Sequence, residues 1–229
     1  MRVYGRGGRR RVAGVAGLAL TLMLTSCGGE RPAPRPRNSA PITLSSEPSR
    51  ETRQCFADLS GANVRYSPLP DRDFGGGCIL TGTVQLIDFG VPTTNLKAMT
   101  CPLSRTFVAW ARYGVVPAGR EILGSPVVRI ETFGTYSCRG IIGGGGATAG
   151  KLSEHAHANA VDVSAFVLAD GRRIAIEQDW RNPDPAVRDF LQIVRASACK
   201  RFRTVLSPDY NAAHYNHLHF DMGGRPFCR

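Results

Sequence analysis

The sequence contains no Cys-x-x-Cys pair, which removes the common thiolate zinc site and the thioredoxin-type redox motif. It has no apolar stretch of about 20 residues, the length a membrane-spanning helix needs. The glycine run Gly143 to Gly146 lacks the Gly-Lys-Ser/Thr ending of a phosphate loop, so loop flexibility accounts for it better than nucleotide binding. No internal repeat is visible, which argues against a solenoid or propeller. Acids are missing from residues 2 to 11, and histidine is scarce, at five in 229 residues. The last two scarcities are the informative ones, because of where the remaining residues fall.

Residues 2 to 11 carry Arg2, Arg6, Arg9, Arg10 and Arg11, and an uncharged apolar run follows from Val12 to Leu24. A basic flank before a short apolar run is the pattern of a secretory signal. The run ends at Leu24-Thr25-Ser26-Cys27, which resembles the lipobox of bacterial lipoproteins and implies that Cys27 is lipidated as the new N-terminus. Each buried acyl methylene contributes about 0.8 kcal/mol, so several chains on Cys27 hold a protein firmly at a membrane. Gly28 and Gly29 follow, without the aspartate associated with retention at the inner membrane; the expected location is the periplasmic face of the outer membrane. Residues 28 to 50 include Pro32, Pro34, Pro36, Pro41 and Pro48 among Arg, Ser and Gly. Such a segment buries too little apolar surface to offset its ordering entropy and reads as an extended tether. The expected organisation is a signal peptide over 1–26, a lipid-anchored Pro/Arg-rich linker over 27–50 and one folded domain over 51–229.

Export changes the meaning of the cysteines. Without Cys27 six remain, Cys55, Cys78, Cys101, Cys138, Cys199 and Cys228. An even number in an oxidising compartment predicts disulfides, and six cysteines allow 15 pairings. Sequential pairing, Cys55–Cys78, Cys101–Cys138 and Cys199–Cys228, is the expected arrangement. Removing the five signal arginines from the 29 basic residues leaves 24 against 18 acids, so the formal charge of +11 becomes +6. For an exported chain the partner of such a surface is anionic lipid or cell-wall polymer rather than nucleic acid.

From Glu51 the pattern is globular. Helices are expected over Glu51–Leu59, over Pro102–Tyr113 and from the Asp184-Pro185 start to about Cys199, the last with Val187, Phe190, Leu191 and Val194 on one face. Extended pieces are expected at Asn63–Tyr66, Val84–Phe89 and Val127–Thr132. In Ala160 to Leu168, Val161, Val163, Ala165 and Val167 share one parity, and Asp162, Ser164 and Phe166 the other. In His217 to Met222, Leu218, Phe220 and Met222 alternate with His217, His219 and Asp221. Period two is the strand signal, and each strand then presents polar, ligand-type side chains on one face. The predicted class is α+β, a small antiparallel sheet carrying a zinc site, flanked by helices and stapled by disulfides.

All five histidines fall in two clusters, His155 and His157 near Asp162, and His214, His217 and His219 near Asp221. Imidazole nitrogen and carboxylate oxygen suit zinc, and catalytic zinc has three protein ligands with one position open. Ser153-Glu-His155-Ala-His-Ala-Asn-Ala160-Val-Asp162 resembles the S-x-H-x-x-G-x-A-x-D motif of D-Ala-D-Ala metallopeptidases, with Ala158 at the glycine position. His214-Tyr-Asn-His217-Leu-His219 resembles the H-x-x-H-x-H of penicillin-insensitive murein endopeptidases of the same superfamily, with Asn216 where the dipeptidases carry a glutamate base. Closer still, Tyr136-Ser-Cys138-Arg139, Ser153-Glu-His155-Ala and His217-Leu-His219-Phe-Asp221 resemble the bacterial extensin-like C-terminal domain family over residues 51 to 229.

The resemblance implies His155, Asp162 and His219 as Zn2+ ligands. It implies His217 as the general base towards the attacking water, His214 as its assistant or a substrate contact, and Arg139 as the holder of a peptide carbonyl or carboxylate. Arg139 reads equally as a structural hydrogen-bonding residue, and His157 as a solvated one. Asp221 is either a partner that orients a histidine or an ordinary strand-end carboxylate. The expected function is a zinc metallopeptidase acting on peptidoglycan stems or crosslinks. The alternative is a non-catalytic, zinc-containing wall-binding lipoprotein.

Overall fold

A computed structural model describes residues 40–44, 47–143 and 145–229. The expected signal segment, Cys27 and most of the expected tether lie outside the described residues. In chain order the elements are β1 (Ile42–Thr43), α1 (Arg50–Gly61), β2 (Arg65–Pro68), β3 (Arg72–Asp73), β4 (Ile79–Leu80), β5 (Thr83–Asp88) and β6 (Met99–Thr100). Then come α2 (Cys101–Trp110), α3 (Val116–Leu123), β7 (Val127–Gly134), β8 (Ala160–Leu168), β9 (Arg173–Ala175), α4 (Ile176–Asp179), α5 (Pro185–Cys199), β10 (Thr204–Leu206), β11 (Leu218–Asp221) and β12 (Phe227–Cys228). The class is α+β, as expected. Among the described residues no helix is long and apolar enough to cross a membrane.

The central sheet has the order β12-β10-β11-β8-β7, with β9 beside the second half of β8. Its pairs are antiparallel except β12, which runs parallel to β10. Alternation decides what each strand buries. Leu218 lies opposite Val163 and Phe220 opposite Val161, and all four belong to the core. On the reverse face His219 lies opposite Asp162. Two polar residues an odd step from the apolar ones are thus brought together by the register that buries the apolar ones.

The strand β8 departs from uniform alternation. Thr132 pairs with Val163 but Glu131 pairs with Ala165, so Ser164 is an extra residue on β8. This bulge exchanges the faces: Val161 and Val163 enter the core before it, Phe166 and Leu168 after it.

The helical layer is longer than the sequence pattern predicts. Instead of ending near Tyr113, α2 continues through a π-helical turn, Ala111–Val115, into α3. Pro117 has no N–H to give back to Tyr113; the wider turn, closed by Val116 N–H donating to Ala111 O, absorbs the missing bond. Gly114 lies in that turn where a Cβ would collide with Ser197 Oγ of α5, so bare backbone permits the close approach of the two helices. The α5 start follows expectation. The Asp184 carboxylate accepts from Ala186 N–H at 2.9 Å, and Val187, Phe190, Leu191 and Val194 are buried. Trp110 joins helices to sheet: it is fully buried, donates Nε1–H to Val194 O at 3.0 Å and packs edge-on to Phe220, with ring centroids 4.9 Å apart. Each aromatic buried this fully contributes about 1.5–3 kcal/mol.

The disulfides correct the expected pairing. Cys199–Cys228 forms as predicted, with Cα atoms 5.8 Å apart, but the other four cysteines pair as Cys55–Cys101 (6.1 Å) and Cys78–Cys138 (5.6 Å). The reason is tertiary. Cys55 sits on α1 and Cys101 opens α2, and these two helices pack together. Cys78 precedes β4 and is brought to the segment after β7, where Phe74 and Tyr136 also meet, with ring centroids 5.2 Å apart. Closing a loop of 60 residues stabilises by roughly 4 kcal/mol through the entropy removed from the unfolded chain. The Cys78→Ser/Cys138→Ser double variant should therefore melt about 10 °C lower than wild type in scanning calorimetry. An unchanged melting temperature would contradict the bond.

Candidate metal centre

His155 stands on a single 3-10 turn, Glu154–His157, which Ser153 opens by accepting the His155 N–H at 3.4 Å. The chain leaves the turn through Ala158, at φ +52°. A left-handed conformation costs a residue with a Cβ roughly 1–2 kcal/mol. Ala158 therefore holds a conformation that glycine would supply freely. Two residues later β8 begins, carrying Asp162 to face His219 on β11.

The three side chains converge. His155 Nε2 lies 3.1 Å from Asp162 Oδ2, His219 Nδ1 lies 2.9 Å from Asp162 Oδ1, and the two ring nitrogens are 3.3 Å apart. One ligand atom from each residue lies within 4.8 Å of the others, so the group can hold a metal ion.

The outer hydrogen bonds fix which nitrogen points inward. Thr135 O can only accept, so the proton of His155 is on Nδ1, donated at 3.1 Å. Asp221 Oδ2 accepts at 2.9 Å from His219 Nε2–H, and Gly223 N–H in turn holds Asp221 Oδ1 at 2.9 Å. The inward atoms are then Nε2 of His155, Nδ1 of His219 and the Asp162 carboxylate, three donors that a cation can share once it replaces the proton His219 Nδ1 gives to Asp162. The residues fit a bound metal ion, and Asp221 orients His219 and is not an idle strand end.

His217 lies at the rim, half-buried. Asn216 Oδ1 accepts its Nδ1–H at 2.9 Å, leaving Nε2 facing Asp162 Oδ1 at 3.5 Å. Phe133 packs edge-on against its ring, with centroids 5.9 Å apart. His214 is next, 5.1 Å from His217 between centroids, and donates Nδ1–H to Asn211 Oδ1 at 2.7 Å. Both rings line a cleft of about 330 Å³ that also exposes His219, Asp221 and Arg139, over a floor including Leu206 and Phe227. Arg139 donates to Gly140 O at 3.3 Å and has no carboxylate partner among the described residues. His157 points elsewhere: its Nδ1 meets Ile79 O at 3.4 Å, outside this cleft. The supporting residues Thr135, Asn211 and Asn216 escape sequence reading. Thr135 acts through its backbone, and an asparagine beside a histidine carries no periodic signal.

Among known proteins, the model of the family described as extensin-like protein C-terminus matches residues 53–229. The chain belongs to that family. No curated protein and no solved structure matches it. The matched stretch of this extensin-like domain holds all three disulfides and every residue of the centre.

Electrostatics in the extensin-like domain follow from the convergence. Burial alone would raise the Asp162 carboxyl, but the adjoining imidazoles of His155 and His219 outweigh it and hold the group far below the usual carboxylate range. Burial alone would lower His219, yet carboxylates on both its nitrogens raise it to about 9. Burial lowers His217, and lowers His214 to about 4 with help from the charges of His217 and His219, so both rings are neutral at pH 7. The sign for metal binding is direct: below pH 9 His219 carries a proton that a cation at Nδ1 must displace. Metal uptake at pH 7 should release about one proton, and affinity should fall about tenfold per unit of acidification. Calorimetric titration in buffers of different ionisation enthalpy reads this; a buffer-independent heat would contradict it.

Proposed function

We propose that the domain is a zinc-dependent peptidase of the cell envelope that hydrolyses peptide bonds in peptidoglycan stems or crosslinks. One observation carries the reading: beside a group able to hold a metal ion stands a neutral histidine, His217, oriented by Asn216 and not required to complete the three ligands. A purely structural metal site has no use for it. The resemblance of both motifs to the D-Ala-D-Ala metallopeptidase superfamily supports the same class, and two imidazoles with one carboxylate are a donor set suited to zinc.

His155, Asp162 and His219 would hold the ion. Bound zinc would polarise the scissile carbonyl and acidify the attacking water. His217 takes the proton of that water at Nε2 and returns it to the leaving amine. His214, presenting its Nε2 to the cleft with Nδ1–H anchored on Asn211, binds substrate or assists that transfer. Arg139 holds a peptide carbonyl or carboxylate. Three disulfides suit an oxidising compartment. With the arginine-flanked apolar run and Cys27 they support a lipid-anchored protein on the periplasmic face of the outer membrane, its tether letting the domain reach the wall. Metal analysis of the purified chain together with mass spectrometry of crosslinked muropeptides incubated with it tests the reading. The expected products are cut peptides on intact glycan. A zinc-loaded protein inert on every muropeptide would make the domain a wall-binding module instead.

A further inference from the structure

The metal-ligand turn carries a second charged group that the centre does not use. Glu154, immediately before His155, lies on the wall of the same cleft as Arg139. Its Oε2 accepts from Asn159 Nδ2–H at 2.7 Å, a neutral partner. Among the described residues it forms no ion pair, unlike its neighbour Asp221, whose charge is matched by His219. Room for the carboxylate is built in. It rests against the backbone of Gly223, where a Cβ would collide with it, and Gly223 has an ordinary backbone conformation, so the glycine is there for space.

Arg139 and Glu154 are tied to one another through the backbone. Ser153 N–H donates to Arg139 O at 3.0 Å, and Gly140 and Leu152 form an antiparallel bridge, so the two charges leave adjacent ends of one short ribbon. They are of opposite sign, border one cleft and do not pair with each other. Two unpaired opposite charges on one desolvating wall are complementary to a ligand carrying both charges.

We infer that Glu154 is a specificity-determining residue that receives a substrate ammonium, so that with Arg139 the cleft selects a zwitterionic amino-acid centre. In peptidoglycan that chemistry is the free amine and carboxylate at the side-chain end of a diamino-acid residue in a stem peptide. The inference rests on the peptidase reading for its choice of substrate, and binding, measured apart from cleavage, tests it separately.

The experiment compares two probes on the zinc-loaded full chain. One is a tetrapeptide muropeptide with a free diamino-acid amine; the other is the same muropeptide N-acetylated at that amine. Isothermal calorimetry should show the free amine bound about tenfold more tightly or better, the effect of one charge-assisted bond. In Glu154→Gln that ratio should collapse towards unity, and in Glu154→Asp some preference should return. Gly223→Ala leaves the charge in place but pushes it aside, and should also reduce the ratio. Zinc content and melting temperature are recorded for each variant, and the Asp and Ala variants keep the test open if Glu154→Gln does not fold. A wild-type ratio near one, or a ratio unchanged in Glu154→Gln, overturns the inference even if the enzyme cuts crosslinks. A ratio that behaves as expected with no cleavage by wild type upholds it and removes the peptidase reading alone.

Discussion

His217→Ala is expected to lower turnover of crosslinked muropeptides by roughly 10²–10⁴-fold while the protein keeps its zinc and its melting temperature. The asymmetry follows from position. The His217 ring is at the rim, its Nε2 3.5 Å from Asp162 Oδ1, and no ligand depends on it for orientation: His155 is held by Thr135 O and His219 by Asp221. Removing it takes away a proton acceptor whose pKa burial has already lowered into the neutral state. Asn216→Ala should fall between wild type and this variant, because the ring remains but loses the acceptor that selects its tautomer. His157→Ala supplies the control. Among the described residues its one side-chain hydrogen bond is with Ile79 O, away from the cleft, and both metal content and turnover should be unchanged. If His217→Ala digests muropeptides at the wild-type rate, or loses its metal, the assignment of the base is wrong.

What could be read in advance, and what could not, divides along physical lines. The strand pair bearing the centre was legible because burial enforces period two. Leu218 and Phe220 against Val161 and Val163 must face the core, which leaves His219 and Asp162 on the other face together. The start of α5 was legible because Asp184 and Pro185 act locally. Disulfide partners were not, since Cys55 and Cys101 meet through the packing of two helices 46 residues apart in sequence. Nor was the passage of the helix through Pro117, which depends on a π-helical turn pressed against α5. The bulge at Ser164 was hidden for a related reason. Apolar residues occupy both parities of β8, and only pairing with β7 shows where the core face changes sides.

The same division explains the electrostatics of the site. The identity of the site histidines is a matter of residue type and spacing, whereas their orientation comes from a backbone carbonyl, two asparagines and a glycine whose roles appear only when the chain is folded. Asp221 lies between the two cases. Period two puts it on the face of His219, but its bond to that ring also needs Gly223 N–H on its other oxygen to hold the carboxylate in place.

Asp162→Ala should abolish stoichiometric metal binding and with it the stabilisation that metal confers. Asp162 is the hub of the centre: its two oxygens meet His155, His219 and His217, and it is the only carboxylate among the three residues able to hold the ion. Two imidazoles alone cannot close a zinc site, and they would be left facing each other at 3.3 Å. Taking one partner from a buried charged pair costs about 3–5 kcal/mol even without metal, so the variant should melt clearly lower than metal-free wild type. Zinc at a hundred times its dissociation constant should stabilise the wild type by a further 2.7 kcal/mol or so, and the variant not at all. Asp162→Asn separates charge from shape, because it keeps the side chain's volume and one acceptor but removes the negative charge. It should retain more stability than Asp162→Ala while binding zinc as poorly. The measurement is the melting temperature of each protein with chelator and with excess zinc, beside metal content after dialysis. An equal zinc-induced shift in wild type and Asp162→Ala would show that the ion, if any, is held elsewhere.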